Sequence, residues 1–94
     1  MFFRFIVSTH EYSTMKIKLV AYGIAKDILK SKEKMWDVGA QGTIESLKQN
    51  LLIEYPSFAN LSKLSFAVGA EYRDDSFLLS EGDEVVIIPP VSGG

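Results

Sequence analysis

Four consecutive β-branched residues, Val85–Ile88, stand between a turn sequence and a pair of prolines. Such side chains are stiff at χ1 and favour extended backbone. Successive side chains of a strand point to opposite faces, so an unbroken apolar run predicts a strand covered on both sides, hence an interior one. Ser80–Asp83 (SEGD) supplies the preceding turn, with Gly82 free to take positive φ. Pro89 and Pro90 carry no amide hydrogen and stop the ladder. A central strand this late in the sequence needs distant residues to flank it. Met15–Tyr22 (MKIKLVAY) fits. Met15, Ile17, Leu19 and Ala21 form one apolar face, Lys16 and Lys18 the other, and Val20 and Tyr22 make the second face apolar further along. These two strands are expected to be central, adjacent and parallel, with a helix between them as the crossover.

The intervening sequence reads as short elements. Ile24–Leu29 is a short helical stretch and Met35–Val38 a short strand closed by Gly39. Thr43 is a good N-cap with Glu45 in the first turn. The helix that follows places Ile44, Leu47 and Leu51 on one stripe, continued by Tyr55 and stopped by Pro56. Asn60–Leu64 is a connector and Phe66–Val68 a strand. Gly69–Tyr72 and Arg73–Ser76 are turns, and Phe77–Leu79 returns to the core. The expected class is α+β: a mixed sheet of four or five short strands packed on one main helix. Residues 1–14 read as an N-terminal extension outside the 15–94 domain, an upstream start or a remnant of cloning in preference to an added edge strand.

With 94 residues, 47% of them hydrophobic, the chain is one small domain with enough apolar mass for a core. Its formal charge of −2 argues against nucleic acid as a partner. No apolar run approaches the roughly 18 residues of a membrane span, and a cytoplasmic protein with no membrane partner is expected. Eight of the ten basic residues lie between Lys16 and Lys63, whereas Asp74 onward holds five acids and no base. That acidic end suits a basic partner surface, or is a solvated edge. The absence of cysteine removes disulfides, thiolate nucleophiles and iron–sulfur ligation. His10, the one histidine, cannot by itself form a metal site or a triad. Asp74 and Asp75 read as a solvated turn rather than a catalytic pair, and Gly39–Gly42 lacks phosphate-loop spacing. Trp36 reads as core or sheet face.

The last six residues carry the chemistry. Pro89–Pro90 projects the chain away from the sheet, and Gly93–Gly94 has no side chain to obstruct a narrow channel. Six residues reach at most about 20 Å. A partner could therefore enclose the Gly94 carboxylate while gripping the globular body. An apolar patch on the exposed sheet face, drawn from Val20, Tyr22, Phe66 and Phe77, is the expected grip. Asp83 and Glu84, close to the tail root in sequence, are expected to meet Lys or Arg of the partner.

Segment 80–94 (SEGDEVVIIPPVSGG) resembles the molybdopterin-synthase small-subunit (MoaD-like) family of ubiquitin-like β-grasp sulfur carriers. Gly82–Val85 matches its GDEV turn, and Pro89, Pro90, Val91, Ser92, Gly93 and Gly94 its terminal motif. Thr43–Leu47 and Lys16–Leu29 resemble its main helix and its first strand and helix. Gly69 departs from the family, where Asn is expected after Ala67–Val68. The resemblance implies a ubiquitin-like β-grasp fold. It further implies that an E1-like adenylating enzyme activates Gly94 with ATP, that a sulfur donor protein converts it to a thiocarboxylate, and that the large synthase subunit passes the sulfur to cyclic pyranopterin monophosphate. Catalytic side chains then belong to the partners, and the chain itself binds no cofactor. The alternatives are a carrier for thiamine or tRNA thiolation, a ubiquitin-like protein modifier, and a binding module that never carries sulfur.

Overall fold

The structure, a computed structural model, describes residues 15–39 and 42–90. The chain runs β1 (Lys16–Ala21), α1 (Gly23–Leu29), β2 (Glu33–Asp37), α2 (Ile44–Glu54), a 3₁₀ helix (Pro56–Asn60), β3 (Ser65–Val68), β4 (Glu71–Arg73) and β5 (Glu84–Ile88). The strands form one sheet in the order β2-β1-β5-β3-β4. As the sequence predicts, β1 and β5 are central neighbours and parallel, with Leu19 opposite Val85 and Ala21 opposite Ile87. The other pairings are antiparallel. This mixed five-stranded sheet with its two helices is the ubiquitin-like β-grasp arrangement.

One face of the sheet holds the core. Ile17, Leu19, Ala21, Phe66, Val68, Val85 and Ile87 point inward against Ile44, Leu47 and Leu51 of α2, with Ala25, Leu29, Phe58 and Leu79 closing the margins. Helix α2 starts where its sequence dictates. The Thr43 hydroxyl accepts from the Ser46 amide (3.2 Å) and the Ser46 hydroxyl from the Thr43 amide (2.9 Å). Segment 74–79 satisfies two further orphan donors at this helix end: the Ile44 amide donates to the Phe77 carbonyl and the Glu45 amide to the Asp75 carbonyl. Gly42 passes so close to Val38 that a Cβ there would lie 2.8 Å from the Val38 carbonyl oxygen.

Three sequence expectations are corrected and one unread stretch is filled. Strand β2 begins at Glu33, ahead of Met35, because an edge strand tolerates charged residues along its exposed side. Glu71–Arg73 is an edge strand and not part of a turn, since only two residues, Gly69 and Ala70, separate it from β3. A 3₁₀ helix fills Pro56–Asn60 and buries Phe58. Leu78 does not return to the core: it bridges Thr43 through its backbone and is exposed, while Leu79 is buried.

Candidate functional site: the tail root and the outer sheet face

The tail root is fixed by strand direction. Because β5 runs parallel to β1, its C-terminal end emerges beside Tyr22 and the start of α1. Because β3 runs antiparallel, Ile88 also lies opposite Ser65. Pro89 and Pro90 are half-buried against this end of the sheet. Tyr22 is 53% exposed, and the Lys32 ammonium sits 5.6 Å from its ring centroid. The tail positions Val91, Ser92, Gly93 and Gly94 lie outside the described residues, as do residues 1–14.

The face opposite the core is divided into two zones. Strand register lines up Glu33, Val20, Val86, Ala67 and Tyr72 in one row across all five strands. Val20 and Ala67 are covered by their neighbours, Val86 and Ile88 are half-buried, and Tyr72 is largely exposed. Apart from Glu33 at the β2 edge, this half of the face, nearest the tail root, is apolar. The other half is charged: Lys18 stands between Glu33 (3.9 Å) and Glu84 (3.8 Å), with Lys16 opposite Asp37 beyond it. All of these charged groups are well exposed, so their ion pairs contribute little to stability. The apolar strip thus borders the tail root, and the charged zone lies at the opposite end of the strands.

The sequence candidates distribute unevenly over this geometry. Tyr22 stands exposed at the tail-root end, whereas Val20, on the outer face by parity, is only 3% exposed and offers a partner almost no surface. Phe66 is not on that face: it lies opposite Ile87, shares its parity and is 2% exposed, so its side chain is core and unavailable to a partner. Phe77 is half-buried against the core, with the Arg73 guanidinium 4.6 Å over its ring. Asp83 and Glu84 are near the tail in sequence but at the far end of β5, about 13 Å from Ile88 at strand rise. Asp83 is occupied in the turn, its carboxylate accepting from the Ser80 amide (2.8 Å). Glu84 remains on the outer face through its Lys18 contact. Sequence reasoning missed Val86, Ile88, Ala67 and Tyr72. The available signal was parity with Lys16 and Lys18, counted across the β1–β5 register.

The remaining carboxylates have structural roles. Asp74 accepts from the Ser76 amide (3.1 Å) and hydroxyl (2.8 Å), and Asp75 pairs with Lys48 (3.1 Å). The Asp37 carboxylate is held below the usual aspartate range, first by the Gly39 amide (2.9 Å), then by the Met15 amide (3.3 Å), with Lys16 adding a smaller effect. No helix among the described residues is long and apolar enough to cross a membrane.

Fold and tail root together define a β-grasp domain whose central, C-terminal strand ends at Pro89–Pro90. The ThiS family model matches residues 22–94, and the chain belongs to that family of ubiquitin-like β-grasp sulfur carriers, in the superfamily shared with MoaD. It is 31% identical over 83 residues to the molybdopterin synthase sulfur carrier subunit of Chlamydomonas reinhardtii, covering 85% of this chain and all of that one. The Arabidopsis thaliana protein of the same description is 26% identical, covering 94% and 93%. Among solved structures, a putative molybdopterin converting factor subunit 1 from Pyrococcus furiosus superposes with a TM-score of 0.75 at 17% identity, covering 82% of this chain and 99% of that one. Small archaeal modifier protein 1 from Haloferax volcanii superposes at 0.71 and 18%, covering 84% and 99%. At such identities these structures establish the fold alone.

Proposed function

We propose that this chain carries sulfur on Gly94 for molybdopterin synthesis. The observation that carries the reading is the tail root: a central strand halted by Pro89–Pro90, continued in the sequence by Val91–Ser92–Gly93–Gly94, with an apolar strip beside that root. A free α-carboxylate has a pKa near 3.5 and is a poor electrophile when ionised. The activating partner joins it to the α-phosphate of ATP, with pyrophosphate leaving. A sulfur nucleophile then displaces AMP and leaves a thiocarboxylate. That sulfur is the nucleophile delivered to the pterin precursor inside the large subunit, which explains how a chain without cysteine can serve as a sulfur donor. The outer face, through Val86, Ile88, Tyr72 and Tyr22, docks the globular body, and the tail enters the partner's channel. The curated relatives and the Pro-Pro-Val-Ser-Gly-Gly ending support this recipient.

A second reading keeps the tail chemistry and changes the recipient: thiamine or tRNA thiolation, or attachment to protein lysines. The ThiS family match favours it. Intact mass separates carrier from bystander. Incubated with the activating enzyme, ATP and a sulfur donor, the full chain gains the mass difference of sulfur for oxygen. A chain lacking Gly94 folds normally and gains nothing, because its carboxylate stops up to about 3.5 Å short of the reacting position. An unmodified full chain, with a competent activating enzyme, overturns the carrier reading. Dithiolene formation on cyclic pyranopterin monophosphate with the large subunit then separates the first recipient from the second.

A further inference from the structure

Charge is used differently at the two ends of the central strands. Where β1 and β5 begin, the carboxylates are employed within the domain. Glu81 accepts the Lys16 amide (2.9 Å), Asp83 accepts the Ser80 amide (2.8 Å), and Glu84 faces Lys18 (3.8 Å). At the tail-root end the ammonium groups are not so employed. The Lys32 carbonyl accepts the Ala21 amide (2.8 Å), which sets Lys32 beside the end of β1. Lys30 is the C-cap of α1, and Lys26 lies one turn into that helix, its amide on the Tyr22 carbonyl (3.3 Å). Lys63 stands on the other side of the root, two residues ahead of Ser65, which lies opposite Ile88. All four lysines are exposed, and no ion pair among the described residues includes any of them. Two carboxylates neighbour them in sequence: Asp27, and Glu33, which faces Lys18 (3.9 Å). The same end exposes two apolar side chains, Tyr22 (53%) and Ile24 (46%).

We propose that this basic collar docks on an acidic rim around the mouth of the channel that receives Gly94. The partner is a protein surface that is apolar where Tyr22 and Ile24 land and rich in carboxylates around them, the usual division between the centre and the edge of an interface. The order of charges along the sequence fits such a mouth. After the collar come Val91–Ser92–Gly93–Gly94, with no ionisable side chain and a reach of at most about 14 Å. The α-carboxylate follows, ionised at neutral pH. A channel complementary to both is acidic at its mouth and cationic at its floor. Exposed charges at an interface edge act mainly on encounter and register. An acidic mouth attracts the lysine end of the domain and repels the end that holds Glu81, Asp83 and Glu84, so the molecule turns tail first before contact. Salt screens this attraction beyond about 8 Å at physiological ionic strength.

The partner's identity rests on the carrier reading; the collar itself is read without a partner. Octaglutamate, titrated into the isotope-enriched full chain at low salt, should move the amide signals of Tyr22, Lys30, Lys32 and Lys63. Signals of the 81–84 turn should stay in place, and added salt should reverse the shifts. No movement at millimolar peptide, equal movement around Lys16 and Lys18, or shifts that salt leaves unchanged would each overturn the proposal. The second measurement is the rate of association with the adenylating enzyme. Lys32→Glu/Lys63→Glu should slow it about five- to tenfold at low ionic strength, the gap closing to less than about twofold at high salt. Lys16→Glu/Lys18→Glu makes the same change in net charge at the far end and should slow it by less than about twofold. Equal slowing by both pairs would reduce the effect to net charge, and a larger loss from Glu84→Lys would move docking to the acidic end; either overturns the collar. The peptide titration does not involve Gly94, and the collar variant, given time, still gains sulfur. A parent chain that stays unmodified therefore fails the carrier reading, not this one.

Discussion

The two faces of the sheet are made by the same strands and differ in almost everything else. Inward, Ile17, Leu19, Phe66, Val85 and Ile87 are sealed against α2, and no buried side chain among the described residues is polar. Outward, one residue away along each strand, an apolar strip gives way to lysines and carboxylates held in loose, exposed pairs. The inner face has one task, holding the domain shut, and its composition is uniform. The outer face mixes apolar residues, from buried Val20 to exposed Tyr72, with exposed lysines and carboxylates, as a face open to water can.

Removing Phe66 gives the largest expected effect and tests the inner face. Phe66→Ala should cost about 3–5 kcal/mol, a large share of the stability of a domain this size, read as a fall in urea midpoint. A cost below about 1 kcal/mol would mean that Phe66 is not a core residue and that the two faces have been exchanged. Val86→Asp makes the complementary cut. Large-subunit affinity should fall at least tenfold, which is about 1.4 kcal/mol or more, while stability changes by less than about 1 kcal/mol. Equal losses of binding and stability would erase the distinction between the faces.

This division was only half legible in the sequence. Alternation in Met15–Tyr22 and the apolar run Val85–Ile88 were enough to place β1 and β5 side by side, and Thr43 announced α2. What period-2 reading could not decide was parity where both neighbours are apolar. In Phe66–Ala67–Val68 and in Val85–Ile88 either residue set could face the core, and only the register, Phe66 opposite Ile87, makes the choice. Glu71–Arg73 was too short and too polar to read as a strand. Asp83 and Glu84 show a further failure: nearness to the tail in sequence became distance in space once the intervening residues were extended.

The β3–β4 connection offers a smaller test. Gly69 and Ala70 have φ of 65° and 67°, the left-handed geometry that a two-residue hairpin demands. Glycine takes it freely at the first position. Ala70 is strained by about 1–2 kcal/mol, partly offset because glycine would loosen the unfolded chain. Ala70→Gly should therefore stabilise by roughly 0.5 kcal/mol, and a loss in thermal midpoint would show that the strain is not there.

Asp37, at the charged margin of the outer face, should give the smallest effect. Its carboxylate accepts amides from Gly39 and Met15 and is held low. A group depressed by folding adds stability above its unfolded pKa and loses it as pH falls through its folded one. Asp37→Asn should lower the midpoint slightly at neutral pH, the gap to the parent closing as pH falls and the parent's Asp37 takes up its proton, so that the variant's acid limb is shallower. An identical acid limb in parent and variant would show that the two amide bonds do not persist in solution.

The parallel pairing of β1 with β5 has a consequence for how the molecule comes into being. Leu19 meets Val85 across most of the length of the domain, so the central ladder cannot nucleate locally and must wait for a long loop to close, a topology associated with slow folding. Until β5 docks, β3 and β4 have no bridge to β1 and β2. The strand that completes the sheet is also the strand that ends in the tail. A chain interrupted before Glu84 loses the closing strand and the carboxylate together, so possession of the tail certifies a molecule able to finish its own architecture.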